Sequence, residues 1–338
     1  MKFLVTGATS GLGRNAVEWL LSQGYVVHAT GRNETVGQAL KALGATFTAL
    51  DLTVASDNDY QKLLTDCDIV WHCAALSSPW GSSQQFHHIN TVVTTKLAFW
   101  TAQLGTKRFI HVSTPSIYFD FQHHHDIPES FLAQPFANDY AKTKYAAECA
   151  IQKLVPNFPA TTFIILRPRG IFGPHDNVII PRILAQIRSK KGKLHLPRGG
   201  QAVCDLTFVL NVVHALFLAS TQNNLASGES FNITNQQPIQ LASILNRLLK
   251  EQLKLHYQIQ AVPYLVLDRI AAMQELIAKF THKEPQLTRY SIGALHFDMT
   301  LSQDAAIHRL GYRPIYKLDE AIQMTATWFK QQDAFFNG

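Results

Sequence analysis

The chain has 338 residues, 46% of them apolar and 16% charged, which is enough to bury one large core or two and excludes a disordered or low-complexity protein. Thirty Lys and Arg against 24 Asp and Glu leave a net charge of +6, but the cations are scattered, which argues against a nucleic-acid partner. Four cysteines without a CxxC pair argue against a disulfide scaffold or structural zinc and suit a reducing cytoplasm, and no apolar run is long enough for a signal peptide or a bilayer span.

In chain order, Phe3-Leu4-Val5 is a short apolar strand, a glycine turn follows, Ala16, Val17, Leu20 and Leu21 recur at helical spacing, and Val26-Val27 opens a second strand. The rhythm returns in Asp68-Ile69-Val70-Trp71, a helix over about 86–104, the strand 108–112, a helix over about 139–154 and the strand 163–166. Such alternation predicts an α/β fold, a Rossmann-type doubly wound parallel sheet covered on both faces, over residues 1–172. Pro168, Gly170, Gly173 and Pro174 break the pattern, and 173–338 reads mainly as a smaller α/β substrate lobe, with strands in 205–209 and 231–233 returning to the first sheet. Residues 261–280, AVPYLVLDRIAAMQELIAKF, read first as a helix packed on the core and second as an apolar lid or membrane-facing surface.

The turn after the first strand is Thr6-Gly7-Ala8-Thr9-Ser10-Gly11-Leu12-Gly13. Residues without Cβ atoms allow a tight turn and close approach to a pyrophosphate, and the helix that follows offers free N–H groups, so Gly7, Thr9, Ser10, Gly11, Leu12 and Gly13 are expected to hold a dinucleotide. At the end of the second strand Ala29-Thr30-Gly31-Arg32-Asn33 has no acid for the ribose hydroxyls of NAD. Arg32, helped by Arg14, matches a 2′-phosphate and favours NADP, while the nearby Glu34 leaves NAD open. Asp51 and Leu52, after a further strand-like run, read equally as adenine neighbours or as a strand-end cap.

Tyr140 and Lys144 are four apart in a helical stretch and share a face, where an ammonium would favour phenolate and reach ribose hydroxyls. A second hydroxyl is expected from Val112-Ser113-Thr114-Pro115-Ser116, at a strand end facing the ligand crevice. Thr114 is preferred there. Ser113 and Ser116 compete, because alternation alone does not fix the register.

With VTGATSGLG at the start, His72-Cys73-Ala74-Ala75, Ser78-Pro79-Trp80-Gly81, Ile89-Asn90, Ser113-Thr114-Pro115-Ser116, Tyr140 to Lys144, the run from Leu166 to Pro174, Leu287-Thr288-Arg289-Tyr290 and Leu310-Gly311-Tyr312, the chain resembles an extended short-chain dehydrogenase/reductase of the NAD(P)-dependent epimerase/dehydratase group. Within it the resemblance is to the 3β-hydroxysteroid dehydrogenase-like branch, which includes bacterial 2-alkyl-3-oxoalkanoate reductases. The resemblance implies Thr114, Tyr140 and Lys144 as the catalytic set, Ala74 and Ala75 lining the cofactor, Pro168 near the nicotinamide, Asn90 on a helix beneath the site, and a homodimer through the helices near 90–104 and 139–154. Two departures stand out: Ser10 occupies the place of the usual middle glycine, and Leu210-Asn211 replaces an Asp-Asp or Asp-Asn pair.

Dehydratases of this group carry Asp-Glu after the threonine, where this chain has Pro115-Ser116, and sugar-nucleotide epimerases place an arginine where Cys204 precedes Asp205. A neutral thiol cannot replace that charge. The expected chemistry is therefore hydride transfer between NADP(H) and a secondary alcohol or ketone on a bulky apolar molecule. A sugar-nucleotide epimerase and a redox-silent NADP(H)-binding sensor are the alternatives, the latter disfavoured by the Tyr140 and Lys144 pair. No metal is expected, because the adjacent histidines at 87–88 and 123–125 are poorly placed to converge on one ion and HExxH is absent. Cys73 is expected to pack as a small apolar group, and Trp80 and Phe172 to flank the substrate or simply pack.

Overall fold

The structure, a computed structural model, describes residues 1–281 and 283–332. Seven parallel strands form the main sheet: β1 (Lys2–Thr6), β2 (Val26–Gly31), β3 (Thr46–Ala49), β4 (Ile69–His72), β5 (Arg108–Val112), β7 (Thr162–Pro168) and β12 (Ser230–Ile233), in the order β12-β7-β5-β4-β1-β2-β3. A sheet buried on both faces needs apolar residues on both, and Phe3, Leu4 and Val5 of β1 and Phe163 to Leu166 of β7 are all fully buried. Helices α1 (Gly11–Ser22), α2 (Glu34–Ala42) and α3 (Asp57–Leu64) alternate with the strands. A short α4 (Ser83–Phe86) runs through a π-helical stretch (His87–Val92) into α5 (Val93–Gln103), and α6 (Asp139–Leu154) follows β5 and the short strand β6 (His124–Ile127).

Of the two segments read as returning strands, 231–233 lies in β12 beside β7. The other differs: Thr207–Phe208 (β11) pairs with Ile171–Phe172 (β8) in a separate two-stranded sheet, and Val209 already begins α8 (Val209–Thr221). Asn211 there is buried and clamps the chain. Its amide donates to Asn235 and to the Tyr316 carbonyl at 2.9 and 2.8 Å, and its carbonyl accepts from the Ile315 and Tyr316 N–H groups. The Leu210-Asn211 departure thus preserves a structural corner.

The later chain adds α7 (Ile179–Ser189), β9 (Lys193–Pro197), β10 (Val203–Cys204), β13 (Ile239–Gln240), α9 (Leu241–Leu245), β14 (Gln258–Val262), α10 (Tyr264–Thr281), α11 (Arg289–His296), β15 (Met299–Leu301), α12 (Asp304–His308) and α13 (Leu318–Lys330). Its apolar core joins Ile180, Leu184 and Ile187 of α7 to Leu194, Leu245, Leu249 and Phe329. Phe172 belongs to this core, 5.8 Å from Phe208, so it packs.

Two histidines lie inside the main sheet. His72 bonds Thr6 and Thr94 hydroxyls at 2.7 and 2.9 Å and stacks on His111 of β5 at 5.4 Å. Burial, reinforced by the Lys144 charge, pushes His72 down to about 3 and lowers His111 as well. An unfolded chain takes up protons on these rings near pH ~6.5, before the folded chain does, so stability falls as pH drops through that value toward 3. The urea midpoint should decline between about pH 7.5 and 5, and less steeply in His72→Gln; equal slopes would refute the attribution.

Candidate functional site

The ligand-facing edge of the sheet is the row of strand C-terminal ends, and the crevice opens where order reverses between β1 and β4. After β1, Gly7 has φ +67°, and a Cβ there would lie 2.8 Å from the Ala74 nitrogen; a Cβ on Gly13 would lie 2.2 Å from the Gly7 carbonyl oxygen. Both positions therefore exclude a side chain. Gly11 has φ +49° with open space beside it, which leaves room at the loop surface. Ser10 caps α1 by position without a side-chain bond, and no acid occupies the first turn, so the free N–H groups and positive dipole end are not neutralised locally. A Cβ on Gly31 would meet the Thr9 side chain at 2.7 Å, so Thr9 lies directly against the end of β2. Leu12 packs between the two main cores.

At the end of β2, Arg32 is 75% exposed in its side chain, and its nearest carboxylate is Asp51 at 3.9 Å. Asp51 also binds the Thr53 N–H and hydroxyl at 2.9 and 2.8 Å, and the backbone bond, first among the causes, holds its carboxyl below the usual range. The strand-end cap is thus realised. The Leu52 carbonyl accepts from Tyr60 at 2.8 Å while its side chain packs inward. Arg14 is engaged elsewhere: it pairs with Glu18 at 2.9 Å, and Glu18 also takes His175.

After β4, the Ala74 N–H donates to Thr6 at 3.2 Å, and Ala75 is exposed. Asn90 is fully buried. Its side chain holds the Leu76 N–H and carbonyl and reaches the Thr143 hydroxyl on α6 at 3.3 Å, so its polar atoms brace the loop against α6 and face no ligand. Pro168, at the end of β7, is buried.

β5 delivers the hydroxyls. Ser113 turns to the opposite side and donates to the Glu148 carboxylate of α6, which is bound twice by Arg167 of β7. Alternation then sends Thr114 the other way, where its hydroxyl faces the Tyr140 phenol and donates to Ser116 at 2.9 Å. Asn138 caps α6 through the Ala141 N–H at 2.8 Å and so sets Tyr140 in its first turn. Ser77 also faces the phenol, whose ring lies 6.4 Å from buried Phe86.

The structure departs from expectation at Lys144. Its ammonium donates to the Val112 carbonyl at 2.7 Å and meets His111 Nε2 at 3.0 Å, and among the described residues no hydrogen bond joins it to the phenol. Burial raises Tyr140 above its ordinary value, only partly offset by Thr114 and Ser77, and burial lowers Lys144 to about 7. The lysine is therefore a buried group whose ammonium is engaged away from Tyr140. His111 Nδ1 has no partner among the described residues.

The site includes a residue that was given no role from sequence. Ser116 shares a 2.6 Å hydrogen bond with the hydroxyl of Tyr290 on α11. The row of hydroxyls is thus Tyr140, Thr114, Ser116 and Tyr290, three supplied by the sheet half and one by the later lobe. The spacing of 174 residues between Ser116 and Tyr290 left no local signal. Away from this edge, His123 meets Asp298 at 3.1 Å and His124 meets Asp120 at 2.9 Å, so adjacent rings turn to different carboxylates.

A family model described as the NAD dependent epimerase/dehydratase family matches residues 3–234. An uncharacterized protein of Escherichia coli (strain K12), YbjS, is 46% identical over 332 residues, covering 98% of each chain. The 4-hydroxy-2-methyl-3-oxo-4-farnesyl-3,4-dihydroquinoline-1-oxide ketoreductase of Stigmatella aurantiaca is 29% identical over 316 residues, 92% of each chain. A UDP-glucuronic acid 4-epimerase from Bacillus cereus, solved with NAD, superposes with a TM-score of 0.78 at 22% identity over 98% of this chain and 97% of that one, a likeness of fold.

Proposed function

We propose that this chain, which belongs to the NAD dependent epimerase/dehydratase family, reversibly transfers hydride between NADP(H) and a secondary alcohol or ketone on a bulky, mainly apolar molecule, a 3-hydroxy/3-oxo acyl or sterol-like compound. The observation that carries this reading is the hydroxyl contact between Tyr140 and Thr114 at the sheet edge that also holds the Gly7–Gly13 cradle. Gly7 and Gly13 exclude side chains, the first turn of α1 is free of acids and Arg32 is exposed beside it, so the residues fit a dinucleotide. The nicotinamide, when bound, supplies or accepts the hydride.

In reduction, Tyr140 Oη gives its proton to the carbonyl oxygen as that oxygen gains charge, and it takes the proton back in oxidation. Thr114 turns its O–H from Ser116 to the same oxygen, a donor already in place where the charge develops. Lys144, one turn from Tyr140 on α6 with its ammonium held by the Val112 carbonyl and His111, is the group we assign to tuning the phenol. Ala74, Ala75 and Pro168 lie at the strand ends where the nicotinamide half would rest, while Gly7, Thr9, Ser10, Gly11, Leu12 and Gly13 would hold the phosphates.

An apolar substrate is supported by Cys204, a buried thiol that burial pushes up and that carries no positive charge for a nucleotide diphosphate. The Stigmatella aurantiaca relative is named for a farnesylated ketone. We place a homodimer contact on α5 and α6, with Phe99 of α5 and Leu104 just past its end exposed there, and assign the protein to the cytoplasm.

The decisive measurement is NADPH and NADH oxidation with a panel of β-keto acyl compounds and steroid ketones. Consumption with any of them supports the reading. Tightly retained NAD with no net consumption would instead identify an epimerase, and nucleotide binding without turnover a sensor. For the cofactor, Arg32→Ala should weaken NADPH roughly tenfold, the loss of one charge-assisted contact, and leave NADH unchanged. Equal loss for both would remove the 2′-phosphate assignment.

A further inference from the structure

Seven of the fourteen large apolar side chains exposed among the described residues lie on one helix, α10. Leu265, Met273, Leu276, Ile277 and Phe280 are 66, 59, 57, 53 and 79% exposed, and Val266 and Ile270 extend the same face. The opposite stripe, Leu267, Ala271 and Ala278, is buried. The helix is therefore amphipathic with its larger apolar face turned outward.

Its charges are sorted as well. Asp268 is held by Arg289 at 2.8 Å and Glu275 accepts the Arg289 N–H at 2.7 Å, so both acids are tied to α11. Arg269 and Lys279 on the helix, and Lys283 two residues past its end, are exposed and make no ion pair among the described residues. Arg269 falls within the apolar face, between Leu265 and Met273.

We propose that the outer face of α10 docks on an anionic lipid bilayer, lying in the headgroup region with the apolar side chains inserted and the three cations against lipid phosphates. The helix lies on the membrane: among the described residues no helix is long and apolar enough to cross one. Arg269 decides against a second copy as the occupant. Inside a two-fold contact along α10 it would be desolvated near its own symmetry mate, whereas at a bilayer it snorkels to phosphate. The strip is also small: 18 residues at ~1.5 Å rise and a width of ~10 Å cover roughly 300 Å², against about 800 Å² per partner in a stable dimer. α10 packs on α11, which carries Tyr290 to Ser116, so one helix layer separates the lipid from the hydroxyl row. The inference goes beyond the catalytic reading and stands without it.

The test is co-sedimentation of the full chain with vesicles of equal phosphatidylglycerol and phosphatidylcholine, and of phosphatidylcholine alone, without nucleotide or substrate. Binding is expected on the mixed vesicles. Lys279→Gln and Lys283→Gln should each weaken it by about fivefold, and Met273→Glu with Phe280→Glu by at least tenfold, with circular dichroism showing the fold retained. If that pair does not fold, Met273→Ser with Phe280→Ser replaces it. No binding to the mixed vesicles, or binding that survives the apolar replacements, overturns the proposal. So does a wild-type oligomer that the same replacements dissociate, since the face would then belong to a second copy.

Discussion

Tyr140→Phe is expected to lower turnover by about 10²- to 10⁴-fold, the usual contribution of one positioned proton donor, while nucleotide affinity changes no more than a few-fold. The ring stays against Phe86 and the α6 cap at Asn138 is untouched, so only the oxygen is lost. The removed group is the one that Thr114 and Ser77 both face. Tyr290→Phe tests the far end of the same row. It leaves Tyr140 in place but frees Ser116, and Thr114 with it, so a smaller loss of about tenfold is expected, of the order of one hydrogen bond. Undiminished turnover in Tyr140→Phe would end the assignment of this edge as the reacting centre, whatever nucleotide binding then showed.

The parts of the site that could be read from sequence are those whose geometry is local. Strand, glycine turn and helix all fall within residues 2–22, and Tyr140 and Lys144 share a face because they stand one turn apart on α6. What spacing could not supply is where a flexible head group goes. Four residues of separation make a Tyr–Lys meeting possible, yet the Lys144 chain is long enough to reach the Val112 carbonyl and His111 instead. The register of Ser113, Thr114 and Ser116 was open for a related reason: a period of two says that neighbours diverge, and only Glu148 from α6 decides which of them turns inward.

Long-range assembly explains the remainder. The sheet joining His124–Ile127 to Met299–Leu301 is built from strands too short to carry a periodicity of their own. α10 shows the limit differently: apolar residues occur around most of the helix, so composition alone could not say that the buried stripe is the narrow one with two alanines.

Arg167→Met is expected to cost about 3–5 kcal/mol of stability, the penalty of leaving one partner of a dry ion pair uncompensated. Arg167 and Glu148 are 6% and 3% exposed. The guanidinium also donates to the Tyr118 hydroxyl at 2.6 Å and to the Glu129 carbonyl at 2.8 Å, and the Tyr118 hydroxyl donates to Asn232 Oδ1 at 2.9 Å, so β7, α6 and β12 meet at this one cation. Methionine approximates the volume of the stem but leaves the Glu148 carboxylate with Ser113 as its remaining hydrogen-bond donor among the described residues. For a domain whose total stability is on the order of 5–15 kcal/mol, this loss should appear as a large drop in the urea midpoint. Arg167→Met combined with Glu148→Gln should recover part of it, because the stranded charge is gone. Activity should fall further than unfolding explains, since the Glu148 carboxylate that holds Ser113, and so keeps Thr114 facing Tyr140, loses the cation that fixes it in place. A midpoint shift equivalent to less than about 1 kcal/mol would mean that water reaches the pair, and the account of how β5 holds its register would fail with it.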